Sequence, residues 1–178
     1  MVSDNDMTQK REMLDDYYRE HSASVYRFAL RLCQDQNDAE DVTMEAFVNL
    51  YRSLDKIRDR GAVKTWLYRT ALNQWRKRGR RRPMESLDRE LVDVFGLSTT
   101  DRLALWEVMN DLPEKLRLSV WLVKGEGLTH KEAAEILAVP TGTVQDRVFR
   151  AMKVLRQELD PAHESSGKLS PSQSEVRA

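Results

Sequence analysis

Residues 129–159 read THKEAAEILAVPTGTVQDRVFRAMKVLRQEL, and two helices with a sharp break between them can be read directly from these letters. Thr129 and Glu132 stand three residues apart ahead of an apolar run, the spacing of a capping box that satisfies two orphan amides, so a helix starts at His130. Ala133, Ile136 and Leu137 share its inner face, and Ala138-Val139-Pro140 ends it, because proline has no amide to donate. Thr141 stands where a second helix is capped, and that helix turns Val144, Val148, Ala151 and Leu155 to one side. Two helices joined by so short a break, with small residues at the crossing, predict a helix-turn-helix. In that motif the start of the second helix meets base edges in the DNA major groove. The outward residues there are Thr143, Gln145, Asp146, Arg147 and Arg150. Gln and Arg make two-pronged contacts with adenine and guanine, whereas Asp146 accepts from cytosine or holds a neighbouring Arg. The same spacing also fits an ordinary αα-hairpin, and the helix is not strongly basic.

Outward from this pair the pattern stays helical. Residues 101–127 carry Leu105, Met109 and Leu112 on one face, then Pro113, then Leu116, Val120 and Val123 before Gly125 and Gly127. Upstream, Leu14, Tyr18, Val25, Phe28 and Leu32 recur at helical steps. QDQND breaks that helix, and Asn37 with Glu40 is positioned to cap a second one, which turns Val42, Ala46, Leu50 and Leu54 inward. DKIRDRGA is a polar connector with a turn at Gly61, and a third helix starts near Val63 and is limited by Gly79 and Pro83. The chain has 178 residues and no alternation that reads as a strand. The expectation is an all-α protein of two small helical domains, 10–82 and 101–160, joined by a flexible linker at 83–100, with a disordered Ser/Pro-rich tail at 161–178.

The formal net charge is zero, but its distribution is uneven. Residues 1–82 hold 17 Lys and Arg against 13 Asp and Glu, and the linker is acidic. Six of the seven residues at 76–82 are basic: Arg76, Lys77, Arg78, Arg80, Arg81 and Arg82. Cations at that density hold phosphate by releasing condensed counterions, although a solvated helix end has the same composition. The run follows WLYRTALNQW at 66–75. Trp66 and Leu67 have core spacing, while Trp75 lies on a polar stretch and is the better candidate for an exposed aromatic that stacks a base. An unstacked base needs a pocket, for which the connector 55–63 and the start of the third helix are available. On the second helix Asp41, Glu45 and Asn49 form a polar stripe with Arg52 beside it, and Phe47 and Tyr51 are either apolar anchors or core.

Several stretches in this order resemble bacterial RNA polymerase sigma factors of the small, extracytoplasmic-function type. DAEDVTMEAFVNLYRSL at 38–54 resembles the segment that binds the clamp helices of the polymerase β′ subunit. KTWLYRTALNQWRKRGRRR at 64–82 resembles the segment that recognises and melts the −10 promoter element, and 112–159 resembles the domain that reads the −35 element. The resemblance implies a polymerase-binding set of Asp41, Glu45, Phe47, Asn49, Tyr51 and Arg52. It implies a −10 set of Lys64, Asn73, Trp75, Arg76, Lys77, Arg78, Arg80, Arg81 and Arg82, and a −35 set of Thr143, Gln145, Asp146, Arg147 and Arg150. It further implies core polymerase (β′ clamp helices and β flap), promoter DNA and an anti-sigma factor as partners. The chain departs from the family pattern at Met44, commonly Gln, at Ala138, often Gly, and at Gln145-Asp146, often Lys-Ser, the last altering promoter preference.

Other classes fit less well. The histidines at 21, 130 and 163 are scattered and there is no glycine-rich phosphate loop, so no enzyme, cofactor or metal site is expected. Cys33 is the single cysteine, excluding an internal disulfide, and its helical setting reads as core. The apolar runs are too short to span a membrane and the polar start has no signal-peptide pattern, so a cytoplasmic protein without stable membrane insertion is expected. The alternative is a stand-alone helix-turn-helix regulator, which binds its duplex without polymerase.

Overall fold

The computed structural model describes residues 4–57, 59–79 and 99–159. The expectations for Arg80, Arg81, Arg82, nearly all of the linker and the 161–178 tail lie outside the described residues. Among the described residues, seven α-helices follow in order: α1 (Asp4–Cys33), α2 (Gln36–Ser53), α3 (Val63–Arg78), α4 (Thr99–Asp111), α5 (Glu114–Val120), α6 (His130–Leu137) and α7 (Thr141–Glu158). Short 3₁₀ turns at Leu54–Lys56 and Arg60–Ala62 link α2 to α3. The described residues contain no strand, and the all-α class is that of the sequence pattern.

The first unit is a bundle in which α1 packs along both α2 and α3. Its core joins Val25, Phe28 and Ala29 of α1 to Val42, Ala46 and Leu50 of α2 and Leu67, Tyr68 and Ala71 of α3, all fully buried. The rings of Phe28 and Tyr68 meet at 5.0 Å between centroids. Truncating a buried Phe such as Phe28 to Ala removes its transfer energy and leaves a cavity, a cost of about 3–5 kcal/mol. Tyr18, expected on the core face of α1, is 47 % exposed and lays its ring edgewise on Phe47.

The cap of α2 differs from expectation. Gln34 takes a left-handed conformation (φ 55°), and the helix is capped two positions earlier than expected. Asp35 is therefore the N-cap, its carboxylate accepting from the Asp38 amide at 2.9 Å, and Asn37 lies inside the helix. Gly79 ends α3 with φ 73°, a conformation only glycine adopts without strain.

In the second unit α5 continues as a π-type turn over Trp121–Gly125. Leu118, Val120 and Leu122 are buried, while Leu116 and Val123 are only partly so. Trp106 and Trp121 stack at 6.2 Å, and the Arg117 guanidinium lies 5.5 Å over the Trp121 ring. The capping box of α6 is complete: the Thr129 hydroxyl accepts from the Glu132 amide at 3.2 Å, and the Thr129 amide donates to Glu132 at 2.7 Å. Ala138 carries the left-handed turn (φ 55°), a role that costs a residue with a Cβ roughly 1 kcal/mol. Pro140, not Thr141, occupies the N-cap of α7, and no side chain bonds there. Val144, Val148, Ala151 and Leu155 are its buried face, as the periodicity predicts.

The two units touch. α6 lies against α3. Arg31 of α1 pairs with Glu126, which follows the π turn, and the Tyr68 hydroxyl donates to the other Glu126 oxygen at 2.7 Å. Gln34 Nε2 donates to Asn110 Oδ1 at 3.1 Å nearby.

Candidate nucleic-acid and polymerase interface

Along α3, Trp66, Thr70, Asn73 and Lys77 fall at steps of four, three and four, so they share one face. With Asn49 and Ser53 of α2, and with Gln74 and Arg76, they line an open groove of about 560 Å³. Its walls supply an indole ring, amide and hydroxyl groups and cations, group types that can stack a base, bond base edges and pair with phosphate. Asn73, Arg76 and Lys77 are exposed, and Lys64 and Trp66 are partly buried.

Trp75 does not line this groove but packs half-buried against the hydrophobic core, contrary to its expected role as the exposed aromatic. The reason is geometric: Trp66 and Trp75 are nine residues apart, about 900° at roughly 100° per residue, and so point to opposite sides of the helix. Trp66 is also partly buried against the core, as expected, and its remaining surface lines the groove.

Arg78 turns away from the other cations. Its guanidinium donates to Glu45 at 2.9 Å and to Asp41 at 3.1 Å, and lies 3.8 Å from Asp38. The end of α3 is thus tied to the acidic stripe of α2. On that stripe Asp41 and Arg52 are exposed, and Glu45 and Asn49 are half-exposed, the Asn49 amide donating to the Glu45 carbonyl at 2.8 Å. Phe47 is buried in the core, and Tyr51 is half-buried beneath the Lys10 ammonium at 5.1 Å. The apolar side chains that α2 presents to solvent are instead Met44, 59 % exposed, and Val48, 39 % exposed. The i, i+4 spacing of Met44 and Val48, offset from the buried positions 42, 46 and 50, is the sequence signal for them.

On α7, Gln145, Asp146 and Arg150 are exposed and Thr143 and Arg147 are half-buried. Asp146 accepts from Arg150 Nε at 3.0 Å, so this Asp holds its neighbouring Arg. Gln145 leans to the other side, toward a hollow of about 430 Å³ around Phe149, Val148 and Met152, rimmed by Lys124, Lys153 and Arg156. Phe149 is 71 % exposed and has no place in the sequence-based site.

Electrostatics inside the fold set several groups apart. Burial, reinforced by Asp38, pushes the Cys33 thiol up to about 12 and leaves it inert at neutral pH. Burial lowers the His21 pKa against the pull of Glu20, with Lys64 acting in the same direction as burial. Burial and then Glu126 raise the Tyr68 phenol. Hydrogen bonds from the Thr129 hydroxyl and amide hold the Glu132 carboxyl below its ordinary range. Among the described residues, no cluster of His, Cys, Asp and Glu is placed to hold a metal ion, and no helix is long and apolar enough to cross a membrane.

A helical unit with a polar, aromatic and basic groove, followed by a helix-turn-helix unit, defines a two-part DNA-binding protein with a separate acidic surface. Comparison with known proteins makes the class specific. Residues 17–83 match sigma-70 region 2, and residues 102–155 match sigma-70 region 4. The ECF RNA polymerase sigma-E factor of Haemophilus influenzae is 34 % identical over 145 residues, covering 71 % of this chain and 77 % of that protein. The Escherichia coli K12 sigma-E factor is 33 % identical over 143 residues, covering 70 % and 75 %. In fold, the chain is similar to the sigma factor RpoE of Bartonella quintana, solved with the anti-sigma factor NepR, at a TM-score of 0.66 and 23 % identity over 82 % of this chain and 95 % of that one. The chain belongs to the ECF family of RNA polymerase sigma factors, subunits that bind core polymerase and direct transcription initiation at promoters.

Proposed function

We propose that the α3 groove receives the opened strand of the −10 element, with Trp66 stacking a base, Asn73 and Gln74 reading or bracing it, and Lys64, Arg76 and Lys77 holding phosphates. The observation that carries this reading is the convergence of an indole, amides and exposed cations in one groove. Removing a base from the stack costs a few kcal/mol, and aromatic stacking returns about 1–3 kcal/mol per base. Trp75 supports this surface from behind. Arg80, Arg81 and Arg82 extend the phosphate grip, and Arg78 divides its charge between DNA and the α2 acids.

The −35 element is read by Thr143, Arg147 and Arg150, with Asp146 orienting Arg150 and Gln145 at the margin. We assign the β′ clamp helices to the α2 surface formed by Asp41, Met44, Glu45, Val48, Asn49 and Arg52. There Met44 and Val48 supply the apolar contact and the charges set register. Phe47 and Tyr51 hold α2 in place. The β flap is assigned to the hollow around Phe149, which faces away from Thr143 and Arg150. The working units are 10–82 and 101–160, joined by 83–100. The protein acts in the cytoplasm without membrane insertion, contributes no bond chemistry of its own, and is held in reserve by an anti-sigma factor, as relatives of this fold are solved with one.

The test is transcription in vitro with core polymerase and a promoter pool. A defined set of promoter-dependent transcripts is expected, reduced when Trp66 or Asn73 is replaced by Ala. Core binding is expected to weaken in Met44→Asp and in Asp41→Ala with Glu45→Ala. Absence of core binding, or tight sequence-specific duplex binding by the chain alone, overturns the assignment in favour of a stand-alone regulator.

A further inference from the structure

We infer that Asn49, at the edge of the α2 surface assigned to the clamp helices, is also a base-reading residue, whose amide selects an adenine or a cytosine from the strand that the α3 groove receives. The inference deepens the groove reading proposed above and rests on it.

α2 and α3 run antiparallel, because a short connector joins them and Arg78 at the end of α3 pairs with Asp38, Asp41 and Glu45 in the first half of α2. This arrangement sets a second row of side chains beside the functional face of α3. Asn49 and Ser53 stand four residues apart on one face of α2, and both line the groove with Trp66, Thr70 and Asn73. At about 560 Å³ the groove is within the size range of pockets that take small ligands. One wall offers a ring on which a base can stack, and the other offers an amide for its edge.

The Asn49 amide is not free to turn. Its nitrogen donates to the Glu45 carbonyl at 2.8 Å. A carbonyl only accepts, so the nitrogen faces the helix backbone and the orientation of the amide is fixed. The Glu45 carboxylate is itself engaged by Arg78 at 2.9 Å and does not compete for the remaining Asn49 N–H. What Asn49 presents to a ligand is therefore one acceptor and one donor, side by side. Adenine and cytosine offer the complement, an exocyclic amino group beside a ring nitrogen. Thymine and guanine have a carbonyl where that amino group stands. To follow them the amide has to reverse, which gives up the Glu45 bond and sets two oxygens against each other. Asn73, exposed on α3, has no such tie among the described residues and is the less selective of the two.

The experiment uses preformed holoenzyme, so that differences in core affinity drop out. Its DNA is a fork from one of the promoters found in the transcription assay. Each adenine of the −10 single strand is replaced in turn by purine, and each cytosine by pyrimidin-2-one, bases that lack the amino group. For the parent, one position is expected to lose about three- to tenfold in affinity, the worth of one shielded hydrogen bond. In Asn49→Ala, and in Asn49→Leu, which keeps the side-chain size, the same replacement should cost nothing further, while other positions respond as in the parent. That position-specific coupling is a readout a structural role does not produce. Amino deletion that costs the variants as much as the parent, or a parent indifferent to every replacement, overturns base reading by Asn49 and leaves it to the clamp helices. If Trp66→Ala also leaves fork binding unchanged, the groove reading itself fails.

Discussion

Replacing Arg78 with alanine should uncouple α3 from α2, and the size of the effect follows from the geometry. The guanidinium makes two charge-assisted hydrogen bonds, at 2.9 and 3.1 Å, with a third carboxylate at 3.8 Å. Hydrogen bonds to charged groups contribute about 1.5–3 kcal/mol each when well shielded, whereas exposed ion pairs contribute about 0.2–1 kcal/mol. Here Arg78 is 27 % exposed, Glu45 46 % and Asp41 68 %, so the exposed-pair scale governs. Two such contacts predict a coupling of about 1 kcal/mol at low ionic strength, equivalent to about 2–4 °C in Tm for a chain of this size. A double-mutant cycle by urea denaturation measures it, using Arg78→Ala, Asp41→Ala with Glu45→Ala, and all three together. In about 1 M salt the screening length shrinks to about 3 Å, and the coupling should fall by more than half. A coupling below about 0.3 kcal/mol at low salt, within the usual additivity error, refutes the argument. So does a coupling that salt leaves unchanged, because a pair that exposed cannot escape screening.

Other consequences can be checked independently. Arg76→Ala and Lys77→Ala should each lower the salt slope of holoenzyme–promoter binding by about 1, and Arg78→Ala by less, since its charge is already shared with acids; equal slopes for all three would show that the ion pairs do not restrain Arg78. Glu132→Ala should cost about 0.5 kcal/mol through the capping box. Because the folded carboxyl is held below its ordinary value near 4.3, that contribution is full above this pH and disappears as pH falls through the folded value, so the stability gap between parent and variant should close in acid. A gap that persists after both forms are protonated would assign the loss to packing. Cys33, its thiol at about 12, should react with a disulfide reagent at pH 7.5 roughly 10³-fold more slowly than a free thiol, and normally once urea unfolds the chain. Ordinary reactivity in the native chain would mean α1 opens there.

The parts of the fold that were legible in the sequence are those governed by local spacing. The capping box at Thr129 and Glu132 and the buried face of α7 follow from three- and four-residue steps, because the i, i+3 and i, i+4 contacts that create them are local. The caps of α2 and α7 fall at Asp35 and Pro140, not at the expected Asn37 and Thr141, and for α2 the reason is physical as well. QDQND offers several side chains able to cap, and the left-handed turn at Gln34 selects among them, a backbone choice the letters do not display. The two tryptophans of α3 are both partly buried against the core, and what the letters do not display is which of them also borders the groove. Nine residues make a half-turn difference, and only the direction of α1 and α2 decides which side is inside. The Arg31–Glu126 pair left no trace in the sequence pattern, since nothing local distinguishes either residue from a solvated charge.

These pairings also explain how a DNA-binding subunit can carry no net charge. Affinity for a duplex that depends on counterion release requires cations free to meet phosphate. In this chain Arg78 is occupied by Asp41 and Glu45, Arg150 by Asp146, and Arg31 by Glu126. Each acid lowers the positive potential of the DNA-facing surface or holds the units together, so the resting chain presents mainly Arg76 and Lys77 among the described cations of the α3 end. If polymerase binds the α2 acids as proposed, it releases Arg78 toward the strand. On that proposed assignment, affinity for core enzyme and affinity for promoter would be coupled through the charges that Arg78 shares with Asp41 and Glu45. The coupling is reciprocal, as linkage requires: promoter DNA that draws Arg78 away should strengthen the hold of polymerase on α2. In Arg78→Ala this link is absent, and promoter DNA should no longer tighten core binding as strongly as it does for the parent, a difference measurable by titrating core polymerase with and without a promoter duplex.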